Sequence, residues 1–123
     1  NYTFCKVNLK YDIESELPAN IRYTFLSIVK EALTNTAKHS NATRIDISLR
    51  EHPAFYQLIT QDNGSSENVQ KWSDHTSGIG MINIQERVQN ANGMIQITAR
   101  NGFRIFISIP KKEEKNDTDR DRR

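Results

Sequence analysis

The sequence predicts an α+β domain, a two-layer sandwich in which a mixed β-sheet carries its helices on one face. Two observations lead there. Along the 123 residues the apolar spacing switches between two and about 3.6 in the order strand, helix, two strands, helix, two strands. Proline, glycine and an Asn-Gly pair punctuate the switches.

Cys5, Val7, Leu9, Tyr11 and Ile13 alternate with Lys6, Asn8, Lys10, Asp12 and Glu14, the pattern of a half-buried strand, and Pro18 closes that region. From 19 to about 40 the period changes. Ile21, Phe25, Ile28, Val29, Ala32 and Thr36 then share one side of the longest helix. Ile45, Ile47 and Leu49 alternate again; His52, Pro53 and Ala54 interrupt; and Phe55 to Thr60 resumes as a hairpin partner. The polar stretch 62–77 reads as a mobile loop in which Val69 and Trp72 fit a short helical turn. Met81, Ile82, Ile84 and Val88 predict a second helix over 79–90, ended by Asn92-Gly93. Ile95, Ile97 and Ala99 face Phe103, Ile105, Ile107 and Ile109 across Asn101-Gly102, a strong hairpin signal.

One domain is expected over residues 1–110, followed by a charged tail over 111–123 that holds no apolar residue and reads as disordered. The net charge of +2 is scattered, so no basic stripe for direct nucleic-acid binding is present. A single cysteine forms no internal disulfide and suits a cytoplasmic setting. No apolar run approaches the ~20 residues that span a bilayer. The chain opens at Asn1, just before a strand pattern and without an initiator methionine, and so reads as a fragment of something longer.

Candidate chemistry lies in three places. Glu31, Asn35 and Lys38 fall within an arc of roughly 60° beside the apolar stripe of the long helix, with His39 adjoining. A carboxylate, an amide and an ammonium there suit a metal-bound phosphate, although the same spacing also describes an ordinary polar flank. Asp62-Asn63-Gly64 follows the third strand. An aspartate there either accepts from an exocyclic amine or simply begins a turn. Gly78-Ile79-Gly80-Met81 opens the second helix, where free N–H groups and the dipole favour phosphate, but a Gly-Ile-Gly is also a plain turn.

In order and spacing, Glu31-Ala-Leu-Thr-Asn35-Thr-Ala-Lys38-His39-Ser40, Asp62-Asn-Gly64 and Gly78-Ile-Gly80-Met-Ile-Asn-Ile-Gln-Glu86-Arg87-Val88 resemble the catalytic domain of bacterial sensor histidine kinases in the GHKL ATPase superfamily. The likeness runs from about Val7 to Pro110. It is strongest to the branch whose response regulators carry a helix-turn-helix output domain. The resemblance implies a Bergerat fold holding ATP and Mg²⁺, and no P-loop sequence is present. By position, Glu31 and Asn35 would be catalytic, Glu31 polarising water or supporting the metal shell and Asn35 coordinating Mg²⁺. Lys38 and His39 would contact phosphates. Asp62 would accept the adenine amino group, Gly64 would leave room for the ring, and Gly78, Ile79, Gly80 and Met81 would admit the phosphates. Residues 65–77 would form a lid.

The resemblance also implies a phospho-accepting histidine on an upstream dimerisation domain, a full-length homodimer, and a cytosolic position within a membrane-anchored sensor. Two departures stand out: Ser66 occupies the second-glycine position of the Asp-x-Gly-x-Gly box, and Phe103 replaces the threonine that follows the last hairpin's glycine. Ser108 and Thr98 carry hydroxyls that could substitute. An anti-sigma serine-kinase module of the same superfamily and a degenerate, non-catalytic nucleotide-binding module are the rival readings. His39, His52 and His75 show no zinc-ligand spacing, and Cys5 reads as a small strand residue.

Overall fold

The computed structural model describes residues 5–39, 41–64, 79–98 and 102–112; the side chains of 35, 37–39 and 79–82 lie outside that description. Within it, β1 (Lys6–Asp12), α1 (Ala19–His39), β2 (Arg44–Glu51), β3 (Phe55–Asp62), α2 (Ile79–Asn90), β4 (Met94–Thr98) and β5 (Arg104–Pro110) follow one another as the apolar periods predict. The five strands form one sheet in the order β1-β2-β3-β5-β4. β1 runs parallel to β2 and the remaining pairs are antiparallel. The sheet is therefore mixed, as expected for α+β.

α1 starts where the Pro18 carbonyl accepts the Arg22 N–H at 2.9 Å. Its inward row of Ile21, Phe25, Ile28 and Ala32 is almost fully buried against β2 and β3, while α2 adds Ile84 and Val88 beside β4 and α1. Facing them from the sheet are Ile45 and Ile47, Tyr56 and Leu58, and Ile105, Ile107 and Ile109, alternate residues of three strands and so residues of one face. Burying each such aliphatic side chain contributes about 1.5–3 kcal/mol. This shared layer fixes α1 over the end of β3.

α2 ends in a Schellman turn. Gly93 N–H donates to the Val88 carbonyl at 2.8 Å and Asn92 N–H to that of Gln89 at 2.9 Å, with Asn92 left-handed at φ 62°. A Cβ on Gly93 would stand 2.6 Å from the Ser108 carbonyl oxygen, so glycine is required there for closeness.

Two expectations need correction. β1 does alternate, but Val7, Leu9 and Tyr11 are 49%, 61% and 60% exposed, because β1 is an edge strand lying beyond the cover of α1. The Asn-Gly signal does mark a hairpin, β4 pairing antiparallel with β5. Ile95 pairs with Ile107 and Ile97 with Ile105, so the two apolar rows share one face as their alternation predicts. Lys111, assigned to the charged tail, is held by the fold: its N–H donates to the Ala54 carbonyl at 2.9 Å and its ammonium meets Glu51 at 2.7 Å. Residues 113–123 lie outside the described residues.

Glu51 also accepts from the N–H groups of Glu14 and Ser15 and from the Ser15 hydroxyl, so one carboxylate joins the β1–α1 connection to the residue after β5. The Lys111 ammonium above all, then the Ser15 donors, hold its pKa down at about 2.

Candidate functional site

Asp62 ends β3 with its side chain on the helix-facing side of the sheet, 7% exposed. One carboxylate oxygen, Oδ1, accepts two backbone N–H groups, from Gly64 at 2.9 Å and from Phe103 at 3.1 Å. Asp62 N–H in turn donates to the Phe103 carbonyl at 3.0 Å. The last rung between β3 and the β4–β5 hairpin is thus closed by a side chain where a carbonyl would ordinarily accept.

Gly102 makes that arrangement possible. It adopts φ 109°, and a Cβ there would fall 2.0 Å from the Asp62 carbonyl oxygen, so only a residue without a side chain lets the hairpin approach this closely. The neighbouring Asn63 is consumed by structure. Its Oδ1 accepts from the N–H groups of Thr43 and Arg44 at 2.9 and 3.0 Å, and its amide nitrogen donates to the Thr43 hydroxyl at 3.0 Å. These bonds tie the exit of β3 to the entrance of β2 and fix where Asp62 and Gly64 emerge.

The second carboxylate oxygen of Asp62 faces α1. Thr36 Oγ1, itself 5% exposed, donates to Oδ2 at 3.4 Å. Position 35 is the preceding residue of the same helix, so its Cα lies about 3.8 Å from that of Thr36. Glu31, one turn earlier, lines a cleft of about 360 Å³ with Lys30, Thr34 and, from α2, Asn83 and Arg87. The Arg87 guanidinium sits 4.4 Å from the centre of the Tyr23 ring and braces the two helices. α2 begins at Ile79, and its first-turn N–H groups have no partners within the helix.

The fold therefore brings Asp62, Gly64 and the C-terminal half of α1 together. The side chains of Asn35, Lys38, His39, Ile79 and Met81, together with Gly78 and the lid residues 65–77, lie outside the described residues, as do Ser66, Trp72 and His75. Gly80 is in the first turn of α2. Ser108 and Thr98 do not stand in for the absent threonine. Ser108 alternates with the buried Ile107 and Ile109, and Thr98 with Ile97, whose partner is Ile105, so both hydroxyls occupy the sheet face away from Asp62. His52 stacks on Phe55 and its Nε2 pairs with Gln57 at 2.9 Å. Partial burial, and then the charge of Asp62, push the Cys5 thiol pKa up, which makes it a poorer nucleophile.

Two contributors escape sequence reading. Phe103 acts through its backbone, which no side-chain pattern reports. Thr36 looks like one more member of the apolar stripe. The only hint is a hydroxyl at a position whose neighbours in that stripe are mostly hydrocarbon.

A profile described as histidine kinase-, DNA gyrase B-, and HSP90-like ATPase matches residues 22–113. The sensor histidine kinase YdfH of Bacillus subtilis is 32% identical over 112 residues, covering 89% of this chain and 28% of that protein. The histidine-protein kinase/phosphatase UhpB of Salmonella typhimurium is 27% identical over 99 residues, 80% of this chain and 19% of that one. The chain thus spans no more than about a third of the length of these relatives. Among solved structures, the histidine kinase domain of the Erythrobacter litoralis EL346 blue-light activated kinase superposes with a TM-score of 0.63 at 21% identity, covering 86% of this chain and 51% of that one.

Proposed function

This chain belongs to the histidine kinase-, DNA gyrase B-, and HSP90-like ATPase family, as an ATPase domain of the sensor histidine kinase kind, and on that premise we propose that it binds Mg·ATP and donates the γ-phosphate to a histidine on an upstream dimerisation domain. The observation that supports this reading most is the asymmetric carboxylate of Asp62. Its Oδ1 is occupied by two backbone donors, while Oδ2 meets the Thr36 hydroxyl at the long distance of 3.4 Å. An ionised carboxylate only accepts, so the remaining lone pairs of Oδ2 suit the exocyclic amine of adenine and oppose the carbonyl of guanine.

In this reading Gly64 leaves room for the ring. The first turn of α2, with Ile79, Gly80 and Met81, offers N–H groups to phosphate next to Gly78; Lys38 adds positive charge and His39 is a further phosphate contact. The donor set on α1 fits magnesium: Asn35 and Glu31 supply hard oxygen atoms one helical turn apart, and Asn35 is the direct ligand. Magnesium, when bound, neutralises charge on the triphosphate. The protein's own contribution is to position the nucleotide and to exclude water, which is most of what phosphoryl transfer requires. The acceptor histidine, homodimerisation and a response regulator with a helix-turn-helix output belong to the complete kinase, with this domain in the cytosol. Among the described residues no helix is long and apolar enough to cross a membrane.

Calorimetric titration of ATP with Mg²⁺ tests the site. Asp62→Ala loses a hydrogen bond to a charged acceptor, expected to weaken binding about 10- to 150-fold. Asp62→Asn keeps an oxygen for the two backbone donors and serves as the fold-preserving control, still losing ATP. Asn35→Asp is expected to alter the magnesium dependence. Unchanged affinity in the Asp62 and Asn35 variants alike would reject the site.

A further inference from the structure

The α1 hydroxyls of Thr24, Ser27 and Thr36 do not behave alike. Thr24 Oγ1 donates to the Asn20 carbonyl and Ser27 Oγ to that of Tyr23, both at 2.9 Å and both back into the helix, the usual local solution for a helical hydroxyl. Thr36 instead points out of α1, across 26 residues of sequence, to Oδ2 of Asp62. Its contact of 3.4 Å is long beside the ~2.7–2.8 Å common for O–H···O bonds, so the hydroxyl is held loosely and can turn to another acceptor.

Thr36 and Asp62 thereby set a donor next to an acceptor, both nearly buried, where α1 packs over the end of β3. Adenine offers the complementary pair on one edge: the amino group donates and the adjacent ring nitrogen N1 accepts. Guanine reverses both positions. We propose that Thr36 is a specificity-determining residue for the base, its hydroxyl donating to N1 of adenine while Oδ2 of Asp62 accepts from the amino group. This rests on the ATP-binding reading above and adds a second point of recognition that Asp62 alone does not supply. A hydroxyl serves both states: with Asp62 as its acceptor it satisfies Oδ2, and a rotation about one bond redirects it to the base.

The test is a cycle between protein and ligand, run on this chain with Mg²⁺, measuring affinity for ATP and for 1-deaza-ATP, in which a C–H replaces N1. In the wild type the loss of N1 is expected to weaken binding about 2- to 12-fold, the worth of one neutral hydrogen bond. Thr36→Val is expected to bind both ligands equally well, and Thr36→Ser to restore the preference for ATP. Any general disturbance of the pocket by the valine acts on both ligands and cancels in the ratio. Should the valine variant fold poorly, Thr36→Ala against Thr36→Ser isolates the hydroxyl. A preference for ATP over 1-deaza-ATP that survives in both hydroxyl-free variants, or its absence in the wild type, overturns the assignment. The parent reading fails separately, on purine riboside triphosphate, which lacks the amino group: if Asp62→Asn discriminates it from ATP as the wild type does, Asp62 does not read the base and the Thr36 proposal falls with it.

Discussion

Replacing Gly102 by alanine attacks the close approach of the hairpin backbone to that of Asp62. The added Cβ would lie 2.0 Å from the Asp62 carbonyl oxygen, and bringing it to ordinary contact requires the hairpin to retreat by about 1 Å or more. That retreat stretches both bonds between the two chains, Asp62 N–H to the Phe103 carbonyl at 3.0 Å and Phe103 N–H to Oδ1 at 3.1 Å. At about 0.5–1.5 kcal/mol each, their loss costs about 1–3 kcal/mol. Holding an alanine at φ 109° costs about 1–3 kcal/mol more. A total near 4 kcal/mol lowers the melting temperature by about 10–20 °C for a domain of this size. Circular dichroism melts and urea titrations read it directly. The carboxylate loses one of its backbone donors at the same time, so ATP affinity is expected to fall about tenfold. A Gly102→Ala protein melting within about 2 °C of the wild type would refute the account of how the hairpin docks on Asp62.

Two further outcomes follow from other parts of the fold. Glu51, with its folded pKa near 2 and an ordinary value of 4.5, contributes stability that is complete above pH 4.5 and lost as pH falls towards 2. Urea midpoints measured across that window are expected to decline less steeply in Glu51→Gln than in the wild type; parallel curves would show that the Lys111 and Ser15 contacts are not held in solution. Asn92→Ala places a β-carbon at φ 62° without the local hydrogen bonding that makes asparagine tolerable there, at an expected cost of about 1 kcal/mol in urea denaturation, whereas Asn92→Gly should stay within about 0.5 kcal/mol of the wild type. Equal stability of the alanine variant would remove the strain argument.

The element order was legible because period and punctuation agree: Ile21, Phe25, Ile28 and Ala32 can share a face only in a helix, and Ile105, Ile107 and Ile109 only in a strand. What the alternation of Val7, Leu9 and Tyr11 cannot say is whether anything covers the row, since coverage depends on how far α1 reaches across the sheet. Asp62 was visible as a strand-ending aspartate two residues before a glycine. Its two backbone donors were not, because an N–H belongs to every residue but proline, and position 103 declares itself only after the register of β5 is known. Asn63, read as part of a binding motif, spends its amide on Thr43 and Arg44, a use that depends on β2 and β3 being neighbours.

The double employment of Asp62 couples two things that most domains keep apart. A molecule drawing on Oδ2 pulls on the same rigid plane of atoms that latches the β4–β5 hairpin through Oδ1, so engagement of Oδ2 and the fraying of the sheet's far margin become one linked equilibrium. The amide hydrogen of Phe103, distant in sequence from every motif, is then a natural reporter: its exchange with solvent is expected to slow when a ligand engages Oδ2.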